Sequence, residues 1–348
     1  MTASAGTQPS SLSAVEPEPP AMAEGASKSG SVVRVAAWHD GQLTDTEGLP
    51  AVAEARAIPN ALLWVDVADP DPPTVQEIAR LLGLHPLIAE DIMEGNQRAK
   101  IEVTDELVHI VLFSLDVRHP RPCEIDIVLG SGFLLTVHEA DWDPRNNPHL
   151  RTGIGPLLAR GPDHLLWALV DQVIDGYFPV IDQLGDEIED LEDRVVNSPT
   201  PETLERLFLL KRRLLEIRRA TMPAREIFNQ LTNRDLALIS QEKVLYFRDV
   251  YDHLIRLTDE LDTYRELVSG TLDIYLSTIN NNLSLIMKRL TGVTVILAGI
   301  GALAGIFGMS EAGTALGGKE APGFWLITTL TVALAVGAWA FLRRISWI

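Results

Sequence analysis

Leu290–Met309 reads LTGVTVILAGIGALAGIFGM, twenty residues with no charge and no proline. At about 1.5 Å per residue such a run spans roughly 30 Å, the hydrocarbon thickness of a bilayer. It has no polar face of the kind a helix needs when it packs on a soluble core. It therefore predicts a transmembrane helix over 290–309.

Working outward, Phe324–Leu342 (FWLITTLTVALAVGAWAFL) is again uncharged and of spanning length. Lys288 and Arg289 precede the first span, Arg343 and Arg344 follow the second, and the loop 310–323 holds Glu311, Lys319 and Glu320. The positive-inside rule then places the N-terminal bulk and the basic tail 343–348 in the cytoplasm, and the loop outside. Trp325, Trp339 and Trp347 are candidates for interfacial anchors.

The preceding 289 residues are of a different kind. Segment 1–30 is rich in Ala, Ser, Pro, Glu and Gly, with no apolar core and no early basic residues. That composition predicts a disordered tail and not a secretory signal. Across 31–161, β-branched or apolar runs (Val32–Trp38, Ala61–Val67, Leu107–Asp116, Ile125–Leu129, Gly132–His138) alternate with helical spacing at Thr74–Leu82 and Leu87–Met93. This predicts a cytoplasmic α/β domain.

Strand signals stop after Leu165. Leu165–Asn197 reads as one amphipathic helix, with Pro179 as a candidate kink. Ser198-Pro-Thr-Pro-Glu202 breaks and recaps the chain. Glu202–Asn233 is a second long helix, and a third begins near Ser240 with no convincing breaker before Met309, Gly270 being the weak point. The expected fold is α+β: an α/β domain over 31–161, a long-helix stalk over 162–289, and two C-terminal spans.

The chain has 348 residues, a net charge of −19 and one cysteine, Cys123. Its acidity argues against nucleic-acid binding, which needs Lys and Arg patches. It suits a protein that handles cations as well as a plain soluble surface. A single cysteine cannot form an intrachain disulfide. The run Asp182, Asp186, Glu187, Glu189, Asp190, Glu192, Asp193 is a solvated helix face or a means of concentrating cations. No nucleophile motif or phosphate loop accompanies His85, Glu90, Asp91 or His138, so the expectation is no enzyme.

Steps of three and four along the first span pick out one small or weakly polar stripe: Ser284, Met287, Thr291, Thr294 (or Val295), Ala298, Gly301, Gly305 and Gly308. Leu290 borders it beside Met287, the pair being a candidate apolar gate. Gly301–Gly305 is also a GxxxG packing motif. Both readings hold if identical helices surround an axis, so conduction requires a homo-oligomer. The stripe offers hydroxyls and carbonyls but no Asp, Glu, His or Cys. That suits a cation moving within its water shell, as Mg2+ prefers, better than a stripped soft metal.

The span ends in Gly308-Met309-Ser310. With His85-Pro-Leu, Glu90-Asp91-Ile, Arg98-Ala-Lys100, Thr136-Val-His138, Asp175-Gly-Tyr-Phe-Pro179, Tyr246-Phe-Arg-Asp249-Val-Tyr-Asp252-His253 and Met287-Lys-Arg-Leu-Thr291, it resembles the CorA family of magnesium transporters, whose hallmark is Gly-Met-Asn. The resemblance covers about Val32 to the C-terminus. It implies a homopentameric funnel in the inner (plasma) membrane that carries Mg2+ inward, with Co2+ or Ni2+ as further cargo. Gly308, Met309, Ser310 and Glu311 would form the outer mouth. It also implies regulation by cytoplasmic Mg2+ held between subunits, with Asp91 and Asp249 as ligands. Ser310 departs from the hallmark Asn, being shorter and lacking an amide carbonyl. Ser284 stands where some members have a pore Asn. The alternatives are a zinc-handling member of the superfamily and a membrane-anchored sensor or scaffold that does not conduct.

Overall fold

The computed structural model describes residues 30–95, 97–308 and 322–344. Residues 1–29 of the N-terminal tail, Met309, Ser310, Glu311, the loop through 321 and Trp347 lie outside the described residues.

Period-two patterning builds a seven-stranded sheet in the order β2-β1-β3-β7-β6-β5-β4. The strands are β1 (Val32–His39), β2 (Gln42–Glu47), β3 (Leu62–Ala68), β4 (Lys100–Val103), β5 (Leu107–Asp116), β6 (His119–Gly130) and β7 (Phe133–His138). Only β3 and β7 run parallel; the other pairs are antiparallel. Alternation divides the inner strands between two cores. Val33, Val35, Leu63, Val65 and Val67 face α1 (Leu49–Ala57), α2 (Pro72–Leu82) and α3 (Pro86–Glu94). Trp64, Ile110, Leu112, Ile125, Ile127 and Leu134 face the other way, into a core shared with the long helices.

A buried network clamps the parallel pair. Thr136 donates from Oγ1 to Asp66 at 2.6 Å and accepts from Trp64 Nε1 at 3.0 Å. His138 Nε2 meets the same Asp66 oxygen at 3.1 Å. A buried carboxylate needs such partners. Thr136-Val-His138 therefore has a structural role here.

After α4 (Ile154–Leu158), the helices are α5 (Pro162–Asp175), α6 (Tyr177–Asn197), α7 (Pro201–Asn233), α8 (Gln241–Gly308) and α9 (Pro322–Arg344). The single helix expected over Leu165–Asn197 is two helices that meet at Gly176, one turn before Pro179, whose ring cannot donate to the Asp175 carbonyl. The chain breaks at Gly176, where a Cβ would come within 3.3 Å of the Leu115 carbonyl oxygen. Tyr177 then turns inward, fully buried, and its hydroxyl donates to the Phe113 carbonyl at 2.5 Å. Pro179 sits in the first turn of α6, where its missing N–H has no intrahelical acceptor to lose. At the next break Thr200 caps α7 by accepting from the Thr203 N–H at 3.3 Å.

The acidic run on α6 is partly neutralised. Glu187 and Asp190 face Arg206 at 3.9 and 3.6 Å, and Glu187 faces Arg213 at 3.7 Å. The stalk α8 is one continuous helix of 68 residues, about 100 Å long, and Gly270 does not interrupt it. Its first half buries Phe247, Val250, Leu254, Leu257 and Leu261 against the core. Among the described residues, its far end is apolar and long enough to cross a membrane, and is almost wholly unburied.

Candidate functional site: the far end of the stalk and the acidic groups below it

The last third of α8 is positioned by one neighbour. Val295, Ile296, Gly299 and Ile300 form a crevice with Leu334 and Ala338 of α9. At 3.6 residues per turn, Met287, Leu290, Thr291, Thr294, Ala298, Gly301 and Gly305 fall on the opposite side, with Ser284 at its edge. All eight are exposed in the single chain. Added Cβ atoms at Gly301 and Gly305 would meet nothing within 4 Å. Thr294 donates its hydroxyl hydrogen to the Leu290 carbonyl at 2.8 Å. Its oxygen lone pairs remain as acceptors on that face.

The proposed ligands lie lower, on opposite faces of the sheet. Asp91, on α3, receives the Lys100 ammonium at 2.5 Å, and that ammonium also reaches Glu102 at 2.8 Å. Asp249, on α8, is 72% exposed, with His253 Nε2 at 3.9 Å. The two carboxylates are hard oxygen donors of the kind Mg2+ takes. The sheet between them keeps one chain from closing both on a single ion.

Among the described residues, two sets bring three metal-capable side chains within 4.8 Å: Asp91 with Glu102 and His109, and Asp171 with Asp175 and His253. His253 links the second set to Asp249, since its Nδ1 is 3.8 Å from Asp175. Burial, and then the Asp171 carboxylate, hold the Asp175 carboxyl above its usual range. In the sequence Asp175 and His253 stand in separate motifs, and nothing joins Glu102 and His109 to Asp91, because strand pairing alone sets Glu102 opposite His109.

The profile of the CorA-like Mg2+ transporter protein family matches residues 59–344. The chain belongs to that family. It is 36% identical over 242 residues to the cobalt/magnesium transport protein CorA of Thermotoga maritima, covering 68% of this chain and 69% of that one. It is 27% identical to the putative metal ion transporter YfjQ of Bacillus subtilis, over 82% of this chain and 90% of that one. The complete CorA structure from Methanocaldococcus jannaschii superposes with a TM-score of 0.76 over 92% of this chain and 99% of that chain, at 23% identity. At that identity the likeness shows the fold. CorA-like transporters are membrane proteins, and the unburied apolar end of α8 accords with this.

Proposed function

We propose that the protein is a CorA-type channel for Mg2+, with Co2+ or Ni2+ as lesser cargo, that conducts into the cytoplasm and is closed by cytoplasmic Mg2+. The observation that carries the reading is the continuous α8, which joins the acidic α/β domain to a small and hydroxyl-bearing face opposite α9.

One α8 cannot enclose a pore, so identical stripes surround an axis, in this reading as a homopentamer in the inner membrane. Both termini lie in the cytoplasm, with Lys288, Arg289, Arg343 and Arg344 at that surface. The ion passes in its water shell, and its waters donate to the Thr291 and Thr294 oxygens. Ser310, between Met309 and Glu311, offers a hydroxyl at the outer mouth. A negative interior supplies about 2.3 kcal/mol per charge per 100 mV, so influx needs no other energy source.

Asp91 of one subunit and Asp249 of the next hold the regulatory Mg2+. The sheet that separates them within a chain makes the ion a bridge between copies. With Mg2+ the carboxylates cross-link the funnel and Met287 and Leu290 close the pore; without it like charges push the subunits apart.

Ser310 supports a second reading, a scaffold of the family that does not conduct Mg2+. Influx of Mg2+ into proteoliposomes, measured for the native chain beside Ser310→Asn, separates the two. Native flux supports the channel. Flux gained only with Ser310→Asn means that the natural cargo is another ion or none.

A further inference from the structure

Glu102 and His109 are opposed across β4 and β5, on the sheet face that carries α3. A His109 ring nitrogen lies within 4.8 Å of carboxylate oxygens of both Asp91 and Glu102. His109 is fully buried. Its Nε2 pairs with Asp126 Oδ1 at 2.8 Å, and its Nδ1 has no hydrogen-bond partner. A neutral imidazole that donates from one nitrogen to a carboxylate keeps a lone pair on the other. Metal-binding histidines are commonly held this way, with an outer carboxylate fixing the tautomer and raising the basicity of the ring.

The cluster already holds a cation. The Lys100 ammonium lies between Asp91 and Glu102, and it is only 27% exposed. It offers three donors and no acceptor. It can satisfy the two carboxylates, but a bond to His109 Nδ1 is not among its contacts.

We propose that Asp91, Glu102 and His109 form a binding site for a borderline divalent transition metal (Co2+, Ni2+ or Zn2+), with Lys100 as a tethered cation that the metal displaces. One imidazole and two carboxylates make a donor set these ions take and Mg2+ does not seek. Ligand atoms around such an ion sit roughly 3.4 Å apart in tetrahedral geometry, so the three groups close by at most about 1.4 Å. Glu102, 46% exposed, opens the site to solvent for ion entry and for a water as fourth ligand, while the His109 side is dry. Lys100 sits on a flexible four-carbon stem and swings its ammonium outward. The consequence for gating rests on the proposed sensor: a transition metal here occupies Asp91, which the Mg2+ bridge to Asp249 needs. Such an ion therefore works against closure by Mg2+.

The test is Co2+ titration of the purified full-length chain, followed by its visible d–d absorption with excess Mg2+ present. The wild type is expected to give a saturable band stronger than that of aqueous Co2+. Lys100→Met tightens binding about tenfold, the loss of two competing ion pairs. Asp126→Asn weakens it about 10–100-fold. His109→Asn and Glu102→Gln abolish the band. Glu102 is part-exposed, so its variant remains informative should the buried His109→Asn not fold. Asp249→Asn and His253→Asn leave the band intact. A band that survives Glu102→Gln, or is unchanged by Lys100→Met, overturns the site. Loss of Mg2+ closure in Asp249→Asn with the band retained concerns the sensor alone.

Discussion

Glu124 shows how a single buried carboxyl ties the α/β domain to pH. Burial, and then the Asp126 carboxylate, push it up to about 7, although the Gln97 N–H donates to it at 3.1 Å. A carboxyl whose folded pKa is raised stabilises the fold when protonated. That contribution is complete below the ordinary carboxylate range and is lost as pH rises toward 7. Glu124→Gln removes the ionised form and keeps an acceptor for Gln97. Its melting temperature in detergent is expected to exceed the wild type at pH 8 and to match it at pH 4. Equal shifts at both pH values would count against this assignment. At Asp249, whose 72% exposure makes it dispensable for folding, Asp249→Asn is expected to leave the fold unchanged. It should raise several-fold the Mg2+ needed to protect the funnel from protease. An unchanged midpoint would remove Asp249 from the sensor.

At the scale of elements, the long helices were legible because their signals are local. Thr200 capping α7, and the absence of proline between Ser240 and Met309, leave little choice. Gly270 is exposed, and a Cβ there meets nothing within 4 Å. It costs helix propensity and relieves no clash. Gly270→Ala is expected to stabilise the stalk by about 0.5–1 kcal/mol per chain. Gly270→Pro is expected to sever the mechanical link, leaving flux insensitive to cytoplasmic Mg2+; regulation retained in that variant would show that gating does not travel along α8. The strands β2 and β4 escaped the sequence reading because Gln42–Glu47 and Lys100–Val103 are largely exposed edge strands, with no buried face to impose alternation. The break at Gly176 escaped it for another reason. Pro179 marks a kink, but the close approach of the Leu115 carbonyl that requires a glycine at 176 comes from a distant part of the chain. The same holds for the candidate site: the pore stripe follows from helical period alone, whereas the Asp91, Glu102 and His109 cluster needs α3, β4 and β5 assembled first.

At the scale of the whole molecule, the proposed channel brings copies of a chain of net charge −19 together around an axis. Like charge opposes that assembly, and a divalent cation bound between copies relieves it. Anything that binds only the assembled state stabilises it by mass action. The melting temperature of the full assembly should therefore rise with Mg2+ and lose that dependence in Asp249→Asn; a dependence that persists would place the stabilising ion elsewhere.

The proposed channel is a conducting pore closed by its own cargo. The most direct test is Mg2+ influx into proteoliposomes holding the native chain, with and without Mg2+ on the side of the α/β domain. Influx that is present without Mg2+ on that side and stops when it is loaded is the predicted result. Influx that continues unchanged contradicts the sensor, and no Mg2+ influx under either condition contradicts the channel.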